Sequence, residues 1–306
     1  MKLVSIYAAV VLIWSTTPLG IRFSVESLDF IQALAMRMGL SLVLCLVLLK
    51  VLRIPFMFSR AAFMGYGLGA IAVSGAMLCV YWAAQTLSSG LVSVMWGLTP
   101  LIVGIYGRML LPNGKFGMNR LLCMGLAVLG LYIIFSQQVS LGEHMVVALV
   151  VLLLGINLQS VSSVLIQRLQ AMPGYEPLHP LVQTTGALLL SMPAYGLVWF
   201  FFSGPLPEQV GWLSVGAVVY LATFGSVAGF IGYFYLLNNM SADDVSLITL
   251  ITPVLALLLG TYVAGEQLHP NTWLGSLTIM LALLVNQQQQ VRQAFKSMGK
   301  IRLRKA

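Results

Sequence analysis

Charge is the property that this sequence has least of. Asp, Glu, Lys and Arg make up 8% of its 306 residues, whereas soluble globular domains carry about 25%. Hydrophobic residues make up 59% of the chain, in long runs that do not alternate with polar residues as transmembrane barrel strands do. Because backbone in lipid must satisfy its hydrogen bonds within the segment, we predict an all-α, polytopic membrane protein.

Cysteine is also scarce. The chain has three cysteines, Cys45, Cys79 and Cys123, each within an apolar segment and none in a CxxC pair. An odd number without metal-ligand spacing excludes a disulfide framework and a zinc site, so we interpret these side chains as apolar packing residues. The sequence therefore predicts no metal and no cofactor.

Catalytic motifs are missing as well. We find no HExxH, no GxSxG and no phosphate-binding loop, and the three histidines, His144, His179 and His269, lie far apart. The net charge of +8 comes from basic residues scattered at segment ends, without the aromatic and basic stripe that is typical of a nucleic-acid interface. We therefore expect neither an enzyme nor a nucleic-acid partner.

Acidic residues do not occur at the centre of any predicted span, so proton coupling has no evident carrier. Asp243 and Asp244 follow Ser241 in a pattern that resembles a capping box. We interpret them as the start of a helix rather than as a functional pair.

Hydrophobic runs of about 20 residues predict ten membrane spans. The first segment contains Lys2, Trp14, Pro18 and Arg22 but no convincing cleavage pair, so we expect it to remain as the first span rather than be removed as a signal peptide. The predicted spans cover residues 3–22, 31–51, 62–84, 91–111, 119–138, 145–166, 178–202, 211–238, 244–264 and 271–289.

The basic residues predict the orientation of the spans. With a cytoplasmic N-terminus, the loops and ends on that side hold nearly all the Lys and Arg, and only Arg22 and Arg37 fall on the outer side. The positive-inside rule then predicts that both termini are cytoplasmic in a bacterial inner membrane. The basic tail after residue 290 is interpreted as a solvated flank, with contact to anionic lipid as the alternative.

One segment of the sequence occurs twice. Residues 87–101 (LSSGLVSVMWGLTPL) align without a gap on residues 240–254 (MSADDVSLITLITPV), and Ser88 falls on Ser241 in this register. Because each half contains five predicted spans, an odd number, the second half must cross the membrane in the inverted orientation. We predict a first repeat over residues 1–140, an inverted repeat over 141–290 and a basic tail over 291–306.

Polar, aromatic and proline residues at membrane depth are the candidates for a substrate site. They lie in the repeated segment, in the aromatic pairs before it, and in spans one, two and six. The aligned prolines Pro100 and Pro253 predict breaks at matched positions in the two copies. Ordinary packing kinks, interhelical hydrogen bonds and interfacial aromatic belts stay open as the alternative for each of them. The candidates are Trp14, Thr17, Arg37, Tyr81, Ser93, Trp96, Pro100, Asn157, Gln159, Tyr235, Ser246, Thr249 and Pro253.

Arg37 is the one ionisable side chain well inside a span, where a charge costs about 2.5 to 3.5 kcal/mol at the helix centre. Its distance from the outer end leaves two possibilities, an outward snorkelling side chain or one that faces a cavity. An inward Arg37 would be able to pair with a substrate carboxylate.

With these features the sequence resembles the EamA family of ten-helix carriers, within the drug/metabolite transporter superfamily. The resemblance is carried by Trp14-Ser15-Thr16, Arg37, the segment 93–101 and the segment 246–266, and it extends over nearly the whole chain. The first copy departs from the second at the end of span four, where Pro112-Asn113 stands at the position that Gly265-Glu266 occupies after span nine. The resemblance implies export of amino acids, related metabolites or drugs from a bacterial inner membrane through a central cavity.

We therefore predict a secondary transporter that exports small amphipathic metabolites, amino acids or their derivatives above all, by alternating access. Substrate identity, coupling ion and the choice between monomer and homodimer stay open at this stage. One alternative is a translocator of lipid-linked amphiphiles or drugs with the same fold. Another is a membrane scaffold or sensor that binds a partner through its basic tail. The predicted partners are a small-molecule substrate and the lipid bilayer.

Overall fold

The chain folds into helices that are long and apolar enough to cross a membrane. The computed structural model describes residues 2–111, 122, 125–126, 129–130, 132–133, 143–265, 270–271 and 273–282, and no strand occurs in these ranges. Within these described ranges, seven helices have the length and composition of membrane spans. They are α1 (Lys2–Ser24), α2 (Phe30–Val51), α3 (Arg60–Ala83), α4 (Ser89–Leu110), α6 (Glu143–Gln170), α7 (Pro180–Phe202) and α8 (Trp212–Asn239).

Three further predicted spans are described in part. The described residues between 122 and 133 are helical and are labelled α5. Span nine, α9, consists of Ala242–Ser246 followed by Ile248–Val263, and α10 is Trp273–Ala282. The rest of predicted spans five and ten, the tail 291–306, Pro112-Asn113, Glu266 and Cys123 lie outside the described residues. The bundle is a polytopic all-α membrane protein, as the composition predicts.

Polar residues outside the apolar runs begin several helices. Asp29 caps α2: its carboxylate accepts from the Ile31 backbone at 2.9 Å, and the Gln32 side chain accepts from the Asp29 backbone at 3.3 Å. The equivalent residues Ser88 and Ser241 cap α4 and α9 in the same way, each accepting from the backbone N–H three residues later. The repeat therefore preserves the residue that fixes where each of these helices starts.

The repeated segment is broken, but not at the positions that its prolines predict. In α4 the helix stops at Trp96 and restarts at Thr99, so Ser93 and Pro100 lie in different helical pieces. Pro100 lies in the first turn after the break, where its missing N–H costs least. Pro100 has no backbone N–H to donate to the Trp96 carbonyl, and this carbonyl accepts instead from the Thr99 hydroxyl at 2.6 Å.

In α9 the break is at Leu247, between two helical pieces, and Pro253 lies inside the second piece. The two copies are thus interrupted at different points, and the prediction of proline-centred breaks at matched positions is wrong. The interruption in each copy precedes its proline.

Two π-helical segments occur at corresponding places in the halves. One, Ile71–Ala76, lies in α3, and the other, Leu221–Ala228, lies in α8. Such segments widen the helix locally and are frequent at functional sites. Side chains from neighbouring helices bind their backbone: the Tyr195 hydroxyl donates to the Val73 carbonyl, and the Ser41 hydroxyl contacts the Ala222 carbonyl at 3.2 Å.

Helices at corresponding positions in the two halves make corresponding contacts. The two copies of the repeated segment, α4 and α9, pack on each other. The contact of α1 with α9 corresponds to that of α6 with α4, and the contact of α3 with α7 corresponds to that of α8 with α2. Each half is thereby completed by helices of the other. Large apolar side chains such as Phe200 and Trp212 are exposed on the outside of the bundle, where a bilayer would cover them. The space between the halves is where polar side chains collect.

Candidate functional site

A cavity lies between the two halves and is lined by seven helices. Its wall includes α1, α3, α4, α6, α8 and α9, with Arg37 of α2 as a further contributor. Most of the wall is apolar, and the polar groups are hydroxyls, the Gln159 amide and the Arg37 guanidinium. An apolar wall with few polar groups is typical of sites for small organic molecules.

The cavity is built from equivalent positions of the two halves. In the register that places Ser88 on Ser241, six residues of the first half and their six counterparts all line the wall. These pairs are Met77 and Phe230, Val80 and Tyr233, Val92 and Val245, Ser93 and Ser246, Trp96 and Thr249, and Thr99 and Thr252. The repeated segment thus faces the same space from both sides, and unlike residues occupy three of the six pairs.

Arg37 is held within the bundle and does not snorkel. Its side chain is 1% exposed and lines the cavity. Nε donates to the Ser226 hydroxyl at 2.8 Å, and Nη1 donates to the Tyr81 hydroxyl at 3.3 Å. The guanidinium carbon lies 5.8 Å from the centre of the Tyr81 ring, within cation–π range. Of the two possibilities left by the sequence, the structure places Arg37 on the cavity.

The charge of Arg37 is not neutralised by the wall. Among the described residues that line the cavity, Arg37 is the only ionised side chain, and no described carboxylate forms a salt bridge with it. Nη2 has no hydrogen-bond partner among the described residues. A buried cation without an anionic partner is costly, so the cavity is electrostatically suited to an anionic group.

Aromatic rings form part of the wall near the middle of the bundle. The rings of Trp14 and Tyr233 lie 5.3 Å apart at an angle of 39°. The Trp14 ring approaches the backbone of α8 closely, because a Cβ added at Gly229 would be 2.7 Å from its Nε1. Glycine at this position therefore lets α1 and α8 pack with the indole between them.

Eight of the thirteen predicted site residues line this one cavity. All eight are polar or aromatic, and they come from α1, α2, α4, α6 and α9. They are Trp14, Thr17, Arg37, Ser93, Trp96, Gln159, Ser246 and Thr249.

Tyr81 and Asn157 are placed elsewhere. Tyr81 is fully buried behind Arg37, so it contacts the guanidinium rather than the cavity. Asn157 accepts from the Tyr106 hydroxyl at 3.1 Å and donates to the Leu153 carbonyl at 2.8 Å. Neither side chain is among the described residues of the cavity wall, and Asn157 forms the interhelical hydrogen bond that the sequence left open as its alternative.

Tyr235, Pro100 and Pro253 also lie off the wall. The α8 tyrosine that reaches the cavity is Tyr233, which is two positions earlier and thus on a different side of the helix. The two prolines are buried in the helix pieces that follow the breaks. They shape the backbone and are not part of the surface that a bound molecule would touch.

The sequence did not single out several wall residues. Thr99 and Thr252 are identical in the repeat and were aligned, but they were not chosen as site residues. Phe230 could have been found by carrying the same register back into spans three and eight. Tyr233 and Ser163 were noted as polar residues of spans eight and six but not chosen as site residues, and Gly225 had no signal in the repeat.

Comparison with known proteins agrees with this architecture. The model of the EamA-like transporter family matches the chain twice, over residues 2–136 and 144–287. The uncharacterized inner membrane transporter YedA of Escherichia coli K12 is 28% identical over 289 residues, which is 90% of this chain and 88% of YedA. An uncharacterized transporter of Archaeoglobus fulgidus is 24% identical over 93% of this chain and 98% of its own length.

A solved crystal structure has the same fold. It aligns with a TM-score of 0.66 at 16% sequence identity and covers 95% of this chain and 98% of its own. At this identity the likeness concerns the fold alone. The two matches of the family model together span most of the sequence, and the chain belongs to the EamA-like transporter family.

Proposed function

We propose that this protein is a secondary transporter that exports small amphipathic metabolites bearing a carboxylate, amino acids or their derivatives above all. The observation that carries the proposal is the buried, unneutralised guanidinium of Arg37 on the wall of the cavity. A substrate carboxylate would supply the missing counter-charge and accept from the open Nη2 group. Charge-assisted hydrogen bonds of this kind are the strong ones in binding sites.

The remainder of the wall suits an apolar or aromatic body. Trp14, Trp96, Phe230 and Tyr233 offer ring faces, and hydroxyls offer single hydrogen bonds at their edges. An ammonium group would be stabilised by ring faces through cation–π contact, since no described wall residue carries a negative charge. An amino acid therefore fits the cavity better than a simple cation does.

The mechanism we propose is alternating access by rocking of the inverted halves around the central cavity. The two π-helical segments and the breaks in α4 and α9 flank the cavity and are the places where the helices are least regular. Such irregular segments absorb changes in backbone angle during domain motion more easily than continuous helix does.

We further propose that the protein lies in the bacterial inner membrane with both termini in the cytoplasm, as the positive-inside rule predicts. Support for the membrane comes from the name of its relative YedA, an inner membrane transporter. Reporter fusions at the two ends should both give cytoplasmic signals. An external signal from either end would contradict this orientation.

The function is tested with purified protein in liposomes and a panel of labelled amino acids and derivatives. Flux of at least one carboxylate-bearing amphiphile, above that of protein-free liposomes, is the expected result. The panel should include matched neutral and cationic analogues, which we expect to move more slowly. No flux of any member in either direction would contradict the proposal.

A further inference from the structure

Resting on the proposed function, we propose that Gly225 is a specificity-determining residue of the cavity. Its missing side chain leaves Nη2 of Arg37 uncovered on the cavity wall, where a single substrate carboxylate would bind it.

The guanidinium of Arg37 is fixed on one side of this space. Nε is bound to the Ser226 hydroxyl and Nη1 to the Tyr81 hydroxyl, and the Tyr81 ring lies against the cation. Ser226 is itself fully buried. With two anchors on different helices, the guanidinium cannot turn away without breaking both hydrogen bonds.

The remaining nitrogen, Nη2, has no partner among the described residues, although the side chain is 1% exposed. Buried donors in proteins are nearly always paired, and an exception calls for an explanation such as a ligand. Because this donor carries part of a full positive charge and faces a cavity, an anion is the partner that its chemistry favours.

Gly225 borders the open side of Nη2. A Cβ added there would lie 3.1 Å from Nη2, 3.3 Å from Cδ2 of Leu221 and 3.6 Å from the hydroxyl of Thr17. At these distances a methyl group would press against Nη2 and cover the side of the guanidinium that borders Gly225. A substrate carboxylate would then reach Nη2 less easily.

The backbone does not require glycine at this position. Gly225 lies in the π-helical segment of α8, a right-handed helical conformation that other residues adopt readily. Glycine within a helix costs about 1 kcal/mol relative to alanine. The close approach of Nη2, rather than a backbone constraint, therefore accounts for glycine here.

The pairing of a glycine with a buried guanidinium occurs on one side of the cavity, that of Gly225 and Arg37. In the register of the repeat, the counterpart of Gly225 is Ala72, which is buried and is not on the cavity wall. No second ionised side chain lines the cavity among the described residues. The inferred substrate therefore has one anionic group, which is bound at the Arg37 end.

The test measures uptake of phenylalanine and of phenylalaninamide, which differ in the carboxylate, by protein in liposomes. The variants are Gly225→Ala, Arg37→Gln and the double variant. Gly216→Ala is the matched control, because Gly216 is on the same helix, is exposed and has nothing within 4 Å of an added Cβ. Thermal unfolding of each variant checks that it is folded.

We expect Gly225→Ala to reduce the preference for phenylalanine over its amide by about tenfold, the order expected for losing a hydrogen bond to a charged group. Gly216→Ala should leave the preference unchanged. In the Arg37→Gln background, Gly225→Ala should change the preference no further, because its effect acts through the guanidinium.

A wild-type protein that moves both probes without preference, an unchanged preference in Gly225→Ala, or an additive effect in the double variant would overturn the inference. Absence of flux of every carboxylate in the panel described above, by contrast, would overturn the proposed function as well. Gly225→Ser provides a second variant: its hydroxyl would accept from Nη2, so it should reduce phenylalanine uptake at least as much as alanine does.

Discussion

Tyr81 contacts Arg37 in two ways, through a hydrogen bond from Nη1 to its hydroxyl at 3.3 Å and through its ring, 5.8 Å from the guanidinium carbon. The tyrosine is fully buried in α3 and the arginine comes from α2. The pair fixes a positive charge at the cavity wall without neutralising it.

Removing the charge should change which substrates are transported. Arg37→Ala should reduce transport of anionic or zwitterionic substrates by about ten- to a hundredfold, because a charged hydrogen bond is worth about 1.5 to 3 kcal/mol. Neutral analogues should lose much less. Initial rates in liposomes measure both, and an equal loss for all substrates would assign Arg37 a structural role. Arg37→Lys retains the positive charge but not the planar set of guanidinium donors. Its rate of transport of anionic substrates should therefore lie between those of the wild type and Arg37→Ala.

Removing only the Tyr81 hydroxyl should have a smaller effect. Tyr81→Phe retains the ring against the cation but leaves Nη1 without its partner, so we expect a loss of about 1 kcal/mol in substrate binding, or about fivefold in KM. Tyr106→Phe is the control, since the Tyr106 hydroxyl binds Asn157, away from the cavity. Equal effects of the two substitutions on KM would argue against a positioning role for Tyr81.

The π-helical segment of α3 should depend on Tyr195. Its hydroxyl donates to the Val73 carbonyl within that segment, and the side chain is buried. Tyr195→Phe should lower the free energy of unfolding by about 1 to 3 kcal/mol, because a buried carbonyl loses its partner. Thermal unfolding in detergent measures the change. Tyr262→Phe, at an exposed position, should leave the melting temperature unchanged.

The contact between α3 and α7 should tolerate no side chain at Gly186. A Cβ there would overlap the ring of Tyr66, which is buried and stacked on Phe56 at 5.1 Å. Gly186→Ala should destabilise the fold by about 1 to 3 kcal/mol, the usual cost of overpacking. Gly196→Ala lies on the same helix with nothing within 4 Å of the added Cβ, so it is the matched control. Similar yields and melting temperatures for the two variants would contradict this packing.

The length and apolarity of the runs were sufficient to predict the spans, because crossing a bilayer fixes both properties. For the fully described spans, the predicted ends fall within about four residues of the observed ones, as for α3 at Arg60–Ala83 against 62–84. The repeat also carried information about the site, since its register relates six pairs of wall residues. These features are visible in one sequence because they depend on composition and on internal similarity.

Other features depend on neighbouring helices, so the sequence did not reveal them. The choice of Tyr233 over Tyr235 is set by the rotation of α8 against α1, through the contact of Tyr233 with Trp14. In sequence, the two π-helical segments resemble ordinary apolar helix (IAVSGA and LATFGSVA). Their backbone carbonyls accept hydrogen bonds from residues of other helices, such as Tyr195 and Ser41. The break in α4 is at Gly97 and Leu98, before Pro100, although the sequence predicted a break at the proline itself.

The central claim is that the cavity around Arg37 carries a carboxylate-bearing metabolite out of the cell. It is tested most directly by an untargeted comparison of extracellular metabolites from cells that express the wild type, Arg37→Ala or no protein, at equal membrane levels of both proteins. The account predicts that at least one amphipathic carboxylate accumulates outside wild-type cells and falls to the level of non-expressing cells with Arg37→Ala. No difference between wild-type and non-expressing cells, or the same accumulation with Arg37→Ala, would contradict it.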